Sequence, residues 1–120
     1  MNYIVLDLEF NWPYNGLFSE RNNVKLRNEI IEIGAVKMTD SLKGAGTFCT
    51  YVHPLAYCKV NKKVNKLTGI STQMLWYRNT FPIVMHRFLS WCGNGCIFVT
   101  WSDSDMQALK ENMLYHGMET

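Results

Sequence analysis

The stretch Tyr3–Asn11, YIVLDLEFN, joins an apolar run to two closely spaced acids. Its first half, Tyr3–Leu6, has the β-branched and aromatic residues that favour a buried strand. Asp7 and Glu9 follow two residues apart, and the alternation of side chains along a strand places both carboxylates on one face. Like charges held side by side repel, and one is driven toward protonation unless a cation lies between them. The stretch therefore predicts a buried strand that ends in a cation site.

The composition is that of one globular domain. The chain has 120 residues, 48% hydrophobic and 18% charged, which suffices for one core but not for two, so we expect one domain over residues 1–120. No apolar run approaches the ~20 residues that span a bilayer, and no signal peptide is recognisable, so we expect a cytoplasmic protein without a membrane partner. The cysteines lack zinc-site spacing and are expected to be free thiols: Cys49, Cys58, Cys92 and Cys96.

Positive charge is concentrated in the middle of the chain. No acidic residue occurs between Asp40 and Asp103, whereas that span holds seven lysines and arginines. Such a distribution is typical of a protein that attracts a polyanion around a few site carboxylates. Four neighbouring lysines are candidates for contacts to a nucleic-acid backbone: Lys59, Lys62, Lys63 and Lys66. A solvated helix face is the alternative interpretation of these four.

Periodicity and turn signals predict an alternating α/β order. A polar loop from Trp12 to about Asn28 separates the first strand from a second, Glu29–Met38, and a third strand is expected at Thr47–Pro54. Their short connections predict an antiparallel meander.

The second half of the chain is predicted to be mainly helical. A short helix over residues 61–69 is followed by one capped by Ser71, and a longer amphipathic helix runs to Gly93 with Leu89 on its apolar stripe. Cys96–Trp101 reads as a strand buried on both faces, and a last helix ends at Gly117.

A second pair of acids, Asp103 and Asp105, lies at the junction of that strand and the last helix. Such junctions are where sites form in α/β sheets. Asp103 and the serines beside it are ordinary helix N-cap residues. Asp105 shares a helix face with Leu109 and the core stripe, so it should point toward the sheet and require a partner, such as a metal shared with Asp7 and Glu9. Asp103 takes this place if the helix begins later.

These segments together resemble the DEDD superfamily of 3′-to-5′ exonucleases. The resemblance rests on VLDLEFN, EIIEIGAV, LTGIS and TWSDSDMQALKEN, which occur in this order along nearly the whole chain. The sequence is similar in particular to the RNase T and polymerase-proofreading type, and most to the branch of histone-mRNA and small-RNA 3′ exonucleases. The resemblance implies an RNase H-like α/β fold, with a mixed sheet of three antiparallel strands and one parallel strand flanked by helices. It also implies that the last strand and helix of that fold are lacking.

The resemblance further implies that Asp7, Glu9 and Asp105 are catalytic carboxylates that bind two Mg²⁺ or Mn²⁺ ions. Such ions take oxygen ligands, activate a water and stabilise the departing 3′ oxygen. The implied substrate is the 3′ end of a single-stranded nucleic acid, RNA rather than DNA in this branch. Six residues are implied to contact the terminal nucleotide: Phe10, Asn11, Leu67, Thr68, Gly69 and Ile70. Without the resemblance, Leu67 and Ile70 would be assigned to the core.

One part of the family pattern is missing from this sequence. The superfamily's third motif supplies a histidine or tyrosine as general base and, five residues later, a fourth metal-binding aspartate, and neither follows Asp105 at a suitable distance. His116 lies on the same predicted helix, roughly 16 Å away, and His53 and His86 suit surface or core roles.

We therefore expect an incomplete exonuclease domain with at most trace activity alone. A non-catalytic nucleic-acid-binding or interaction module on the same fold is the alternative. A domain without its last strand would also expose apolar surface, which a homo-oligomer would cover.

Overall fold

The computed structural model describes residues 1–120. Six strands and four helices follow one another along the chain. The strands are β1 (Asn2–Asn11), β2 (Ser19–Arg21), β3 (Val24–Leu26), β4 (Glu29–Met38), β5 (Gly44–Tyr51) and β6 (Cys96–Val99). The helices are α1 (Lys62–Thr68), α2 (Thr72–Leu75), α3 (Phe81–Cys92) and α4 (Asp103–Tyr115). None of the four helices combines the length and the apolar content that a membrane span requires.

Four of the strands form one mixed sheet in the order β5-β4-β1-β6. β4 pairs antiparallel with both β1 and β5, while β6 pairs parallel with β1. The predicted α/β sheet of three antiparallel strands and one parallel strand is therefore confirmed. The bounds predicted for the second strand agree with β4, although its alternation is interrupted at Glu29–Ile31, which are all buried beside a register shift in the β1–β4 ladder.

The main core lies between one face of this sheet and helices α3 and α4. β1 contributes Ile4, Leu6 and Leu8, which are at most 5% exposed. They pack with Phe88 of α3 and Leu109 of α4 in a single cluster of 14 buried residues. Because alternate residues of a strand point to opposite faces, Asp7 and Glu9 lie on the other face of the same strand.

A second, smaller core lies beneath α1 and α2. It joins Ile31 of β4 to Val64 of α1 and Leu75 of α2. Tyr51, which lies opposite Glu32 across the β4–β5 ladder, also packs against it. The second core therefore borders the sheet face that carries Asp7 and Glu9.

The predicted ends of the short helices are confirmed by their caps. The side chain of Asn61 accepts a hydrogen bond from the backbone N–H of Lys63 at the start of α1, and Gly69 ends that helix with φ 77°. Ser71 caps α2 by accepting from the backbone N–H of Met74. Left-handed backbone suits glycine, which explains the stop at Gly69.

The prediction that Cys96–Trp101 is a strand buried on both faces is wrong. β6 ends at Val99 and lies at the edge of the sheet, so only one of its faces meets the core. Ile97 and Val99 are 43% and 42% exposed, and Trp101 is 91% exposed. An apolar strand pattern does not distinguish an edge strand with one bare face from a central strand.

Three further boundaries differ from the predictions. The expected polar loop contains the hairpin β2–β3, whose turn residues Asn22 and Asn23 have φ of 53° and 60°, as two-residue hairpin turns require. The third strand runs over Gly44–Tyr51 rather than Thr47–Pro54. Leu89, predicted on the apolar stripe of α3, is 41% exposed because the stripe that meets the sheet is narrower than the periodicity suggests.

Candidate active site

Asp7 lies beyond the part of β1 that pairs with the parallel strand β6. The last pair between the two strands is Val5 with Val99, so β6 has ended by the level of Asp7, and α4 begins nearby at Asp103. On the other side of β1, Gly34 of β4 lies opposite Asp7. With no side chain there, the Asp7 carboxylate borders an open depression of about 330 Å³. The middle of β1, beyond its last pair with β6, thus carries an accessible acid on an open face, and the strand itself continues to Asn11.

Asp105 lies close enough to Asp7 for their charges to interact. Partial burial raises the pKa of Asp105, and the negative charge of Asp7 raises it further. Partial burial also raises the pKa of Glu9, followed by repulsion from Asp7 and, more weakly, from Asp105. Asp103, on the same first turn of α4, is exposed. The alternative in which Asp103 takes the place of Asp105 is therefore not favoured by the geometry.

A fourth carboxylate on this face, that of Glu32, was missed by the sequence analysis. Glu32 lies directly opposite Glu9 in the β1–β4 ladder, and its charge raises the pKa of Glu9. Its only side-chain hydrogen bond comes from the thiol of Cys49 at 3.6 Å. The signal for it was the strand alternation of EIIEIGAV, but the register that sets Glu32 beside Glu9 cannot be read from the sequence.

We call Asp7, Glu9, Glu32 and Asp105 the acid cluster. In the structure, no three His, Cys, Asp or Glu side chains lie close enough together to coordinate one metal ion. Carboxylates that lack a cation repel one another, so their side chains separate. The chemistry of the set nevertheless fits Mg²⁺ or Mn²⁺, which take oxygen ligands, and a cation would relieve the repulsion that raises the pKa values of Glu9 and Asp105.

Asn11, implied by the resemblance to border the nucleotide, is a structural residue instead. Its side chain is fully buried. Its amide nitrogen donates to the carbonyls of Tyr57 and Lys59 at 2.9 and 3.0 Å, and its amide oxygen accepts from the N–H of Asn61 at 2.9 Å. The donors and the acceptor of Asn11 thus fasten β1 to the segment before α1, so we correct its assignment.

Glu29 stands opposite Asn11 in the β1–β4 ladder and has a similar role. It is 2% exposed, and its two carboxylate oxygens accept hydrogen bonds from the backbone N–H groups of Leu55, Ala56 and Tyr57 at 2.8–3.0 Å. Burial raises the pKa of Glu29, while the three N–H donors act in the opposite direction. Glu29 and Asn11 together hold the loop that follows β5.

The other residues implied to contact the nucleotide divide into buried and accessible ones. Ile70 is 2% exposed in the second core, so its assignment to the pocket is wrong. Phe10 is half-buried against the main core. The hydroxyl of Thr68 is occupied, because it donates to the carbonyl of Val64 and accepts from the N–H of Ile70. Leu67, by contrast, is 79% exposed, which contradicts the interpretation of Leu67 as core and leaves it free to contact a ligand.

The candidate lysines surround aromatic side chains that the sequence analysis did not single out. Lys62 and Lys63 line a cleft of about 410 Å³ together with Trp12 and Tyr14. Lys59 lines a neighbouring cleft of about 450 Å³ that also contains Tyr14. Lys66 is exposed on α1 but lines neither cleft. Three of the four lysines therefore combine with aromatic faces, which is the composition of surfaces that bind single strands.

None of the three histidines contributes to the acid cluster. The ring of His116 stacks on Phe81 with 5.3 Å between centroids, and burial lowers its pKa, as does the charge of Arg21. The Nδ1 atom of His53 lies 3.0 Å from the carbonyl oxygen of Leu75. His86 is exposed on α3. These positions agree with the surface and core roles expected for the histidines.

Comparison with solved structures identifies relatives of the same fold. The chain is similar to the nuclease domain of 3'hExo, a DEDDh family member bound to rAMP, with a TM-score of 0.81 and 20% identity over 98% of this chain and 60% of that chain. It is similar to cell-death related nuclease 4 (CRN-4), with a TM-score of 0.80 and 20% identity over 99% of this chain and 41% of that chain. E. coli exonuclease I in complex with an oligonucleotide matches with a TM-score of 0.69 and 12% identity, over 93% of this chain and 23% of that chain.

These likenesses confirm the RNase H-like exonuclease fold. The chain spans less than two thirds of the length of each of these relatives. No curated protein sequence matches the chain at a significant level. The sequence itself matches the RNase T family, whose description is "Exonuclease", over residues 4–119. The chain therefore belongs to the RNase T exonuclease family.

Proposed function

We propose that this chain carries the carboxylate site of a 3′-to-5′ exonuclease that hydrolyses phosphodiester bonds at the 3′ end of a single-stranded nucleic acid. The observation that carries the proposal is that Asp7 and Glu9 of β1 and Asp105 of α4 lie near enough for their charges to interact, beside an open sheet face, in a chain of the exonuclease family. Among the relatives, the nuclease domain of 3'hExo is bound to rAMP, and another structure shows the recognition of the histone mRNA stem-loop by a 3'-exonuclease. This likeness favours RNA over DNA as the substrate.

Asp7, Glu9 and Asp105 would hold two Mg²⁺ or Mn²⁺ ions. When bound, such ions activate the attacking water and stabilise charge on the phosphoryl and leaving oxygens. The charge of Asp7 raises the pKa of both Glu9 and Asp105, so Asp7 would contact both ions. Glu9 would hold the ion on the water side and Asp105 the ion on the leaving-group side. Glu32, opposite Glu9, adds negative charge that strengthens cation binding.

The surroundings of the acid cluster would hold the substrate. Leu67 and Gly69 at the end of α1 are exposed beside the second core and would contact the terminal nucleotide. The clefts lined by Lys59, Lys62 and Lys63 would hold phosphates of the nucleic acid, and the aromatic side chains of these clefts would stack on its bases.

A cytoplasmic location of the protein also remains a proposal.

A histidine general base is a component that this chain does not place at the acid cluster, because its three histidines lie elsewhere. General-base assistance contributes about 10²–10⁴ in rate. We therefore expect at most trace hydrolysis from this chain alone. The same observation favours a second candidate function, a nucleic-acid-binding module without catalysis.

A labelled ladder assay distinguishes the two functions. The purified chain is incubated with 5′-labelled single-stranded RNA or DNA and Mn²⁺, with the Asp7→Asn variant as the control for contaminating nuclease. Slow shortening from the 3′ end that disappears in the variant would support the exonuclease. Binding without any Mn²⁺-dependent shortening would support the binding module, and shortening that persists in the variant would count against the assigned site.

Self-association also stays a prediction. The face that carries the acid cluster exposes Val36, Ile97 and Val99 at 41–43%, beside the edge strand β6. A second copy would cover this surface. Light scattering across a concentration series tests it, and a monomer at every concentration would overturn it.

A further inference from the structure

A separate pocket of about 250 Å³ lies around the free edge of β5, across the sheet from β6. We call it the β5-edge pocket. Its distinctive lining residues are two tyrosines and two arginines: Tyr51, Tyr77, Arg78 and Arg87. None of these four residues belongs to the acid cluster or lines the two clefts that contain Lys59, Lys62 and Lys63.

The two arginines of this pocket have no acidic partner. The structure contains one ion pair, between the N-terminal amino group of Met1 and Asp40, so neither Arg78 nor Arg87 meets a carboxylate within 4.0 Å. Both side chains are exposed. Two guanidinium groups that line one concavity without a counter-charge form a site for a ligand with repeated negative charges, because each can donate two parallel hydrogen bonds to a phosphate.

The tyrosines give the pocket faces on which rings can stack. Tyr77 is 93% exposed, so it contributes almost nothing to the core. The guanidinium carbon of Arg78 lies 5.2 Å from the centroid of the Tyr51 ring, a cation–π contact that holds the charge at the mouth of the pocket. Aromatic faces beside arginines are the combination by which proteins bind single strands without reading their sequence.

One lining residue of the β5-edge pocket, Tyr51, lies in the same cross-strand row as the acid cluster, whereas Phe48 and Val84 line the pocket from the main-core face of the sheet. Glu9 is opposite Glu32 on β4, and Glu32 is opposite Tyr51 on β5. Two strand spacings separate β1 from β5, so Tyr51 is about 10 Å from Glu9 across the sheet. A strand whose 3′ end lies at the acid cluster can therefore reach Tyr51 and Arg78 within a few nucleotides, and it passes around the edge of β5 to reach Arg87 on α3.

We propose that the β5-edge pocket binds a single-stranded nucleic acid upstream of its 3′ end, with Arg78 and Arg87 on phosphates and Tyr77 stacked on a base. The inference rests on the proposed function for the position of the 3′ end. An acidic peptide would satisfy the arginines but would leave the exposed ring of Tyr77 without a stacking partner. The observations therefore favour a nucleic acid.

Binding in a metal-free buffer removes the contribution of the acid cluster, which then repels the 3′ end, and the arginine variant separates this pocket from the clefts lined by Lys59, Lys62 and Lys63. Fluorescence anisotropy is measured with a labelled single strand of about eight nucleotides and with a dinucleotide. The Arg78→Gln/Arg87→Gln variant should bind the longer strand about tenfold more weakly and lose ~1.4 units of the slope of log affinity against log salt, at ~0.7 per neutralised phosphate. The dinucleotide, too short to reach from the acid cluster to the pocket, should bind the variant and the original chain alike with Mn²⁺ present.

A matched control removes the same charge elsewhere. Lys43 lies in the turn before β5 and Lys110 on α4, both exposed, and Lys43→Gln/Lys110→Gln should keep most of the affinity. Tyr77→Ala should weaken binding, and Tyr77→Trp should restore it. All variants should melt at the original temperature, because the altered side chains are exposed.

The inference and the proposed function fail in different ways. Equal affinity and salt slope in the arginine variant and the lysine control would overturn the β5-edge pocket, while Mn²⁺-dependent shortening that requires Asp7 would still support the exonuclease. Tight arginine-dependent binding without any Mn²⁺ affinity would support the pocket and overturn the exonuclease. A polyglutamate that displaces the labelled strand as well as an unlabelled strand does would overturn the assignment to nucleic acid.

Discussion

Two clusters of polar side chains lie on the same pair of strands, and they are built in opposite ways. Where Asn11 faces Glu29, both side chains are buried and their polar atoms are hydrogen-bonded to the backbone of residues 55–61. A few residues away, Asp7, Glu9 and Asp105 accept no hydrogen bond and repel one another. The first cluster has the properties of a structural contact between strands and loop, and the second has those expected of a candidate cation site.

The difference indicates that burial and hydrogen-bond partners, rather than residue type, distinguish structural acids from candidate site acids. A buried carboxylate is tolerated only when donors surround it, and removing it leaves those donors unpaired. A half-exposed carboxylate among like charges adds nothing to folding in the absence of a cation. Substitutions in the two clusters should therefore have opposite effects on stability.

The largest effect on stability is expected from Glu29→Ala. Three backbone N–H groups would lose their acceptor, and each buried donor left unpaired costs about 1–3 kcal/mol. Because water can reach part of this loop, we expect a loss of about 3 kcal/mol in the free energy of unfolding. Urea denaturation measures it. Glu29→Gln, which keeps one oxygen acceptor, should lose less, and equal losses in the two variants would show that the hydrogen bonds are not the cause.

The next effect is expected from Asn11→Ala, at about 2 kcal/mol of destabilisation, because it removes three hydrogen bonds of a fully buried side chain. Denaturation and nucleotide affinity are measured together. A variant that keeps its stability but binds nucleotide more weakly would assign Asn11 to nucleotide binding, and the two clusters would then no longer differ in role.

Glu9→Gln should act in the opposite direction and more weakly. The pKa of Glu9 is raised above its unfolded value, so the contribution of Glu9 to stability is fully present below the unfolded pKa and is lost as pH rises through the folded pKa. Without metal, the variant should be more stable near neutral pH by less than about 1 kcal/mol, since water screens the repulsion. Melting curves with a chelator between acid and neutral pH measure this. A variant less stable than the original chain at neutral pH would contradict the repulsion.

No change in stability is expected from Lys62→Gln/Lys63→Gln, because both side chains are exposed. Single-strand binding should weaken, and the salt slope should fall by ~0.7 for each phosphate that the variant no longer neutralises. The control is Lys43→Gln/Lys110→Gln, which removes the same charge outside the cleft. Identical slopes in the two variants would make these lysines a solvated helix face.

The sequence predicts well those features that depend on local pattern. β1, β4 and the caps of α1 and α2 follow from alternation and from residues such as Asn61, Gly69 and Ser71. The order of the motifs was sufficient to identify the family and the fold. Helix periodicity predicted Asp105 on the face of α4 that meets the sheet, with Asp103 as the alternative, and the charge interaction of Asp105 with Asp7 agrees with that position, while its role as a metal ligand stays a prediction.

Features set by distant parts of the chain could not be predicted. The exposed face of β6 depends on its place at the edge of the sheet. The proximity of Glu32 to Glu9 depends on the register of two strands. The roles of Asn11 and Glu29 depend on backbone groups more than 20 positions away in the chain, so no local pattern marks them.

Calorimetric titration with Mn²⁺ of the original chain, Asp7→Asn, Asp105→Asn and Asp103→Asn tests the central claim most directly. Asp103 is the matched control, because it is an exposed aspartate on the same turn of α4 as Asp105. We expect Asp103→Asn to bind Mn²⁺ like the original chain and the other two variants to lose more than about tenfold in affinity, because a hard cation loses a carboxylate ligand. Unchanged affinity in Asp7→Asn, or a loss in Asp103→Asn alone, would contradict the assignment of the acid cluster as the metal site.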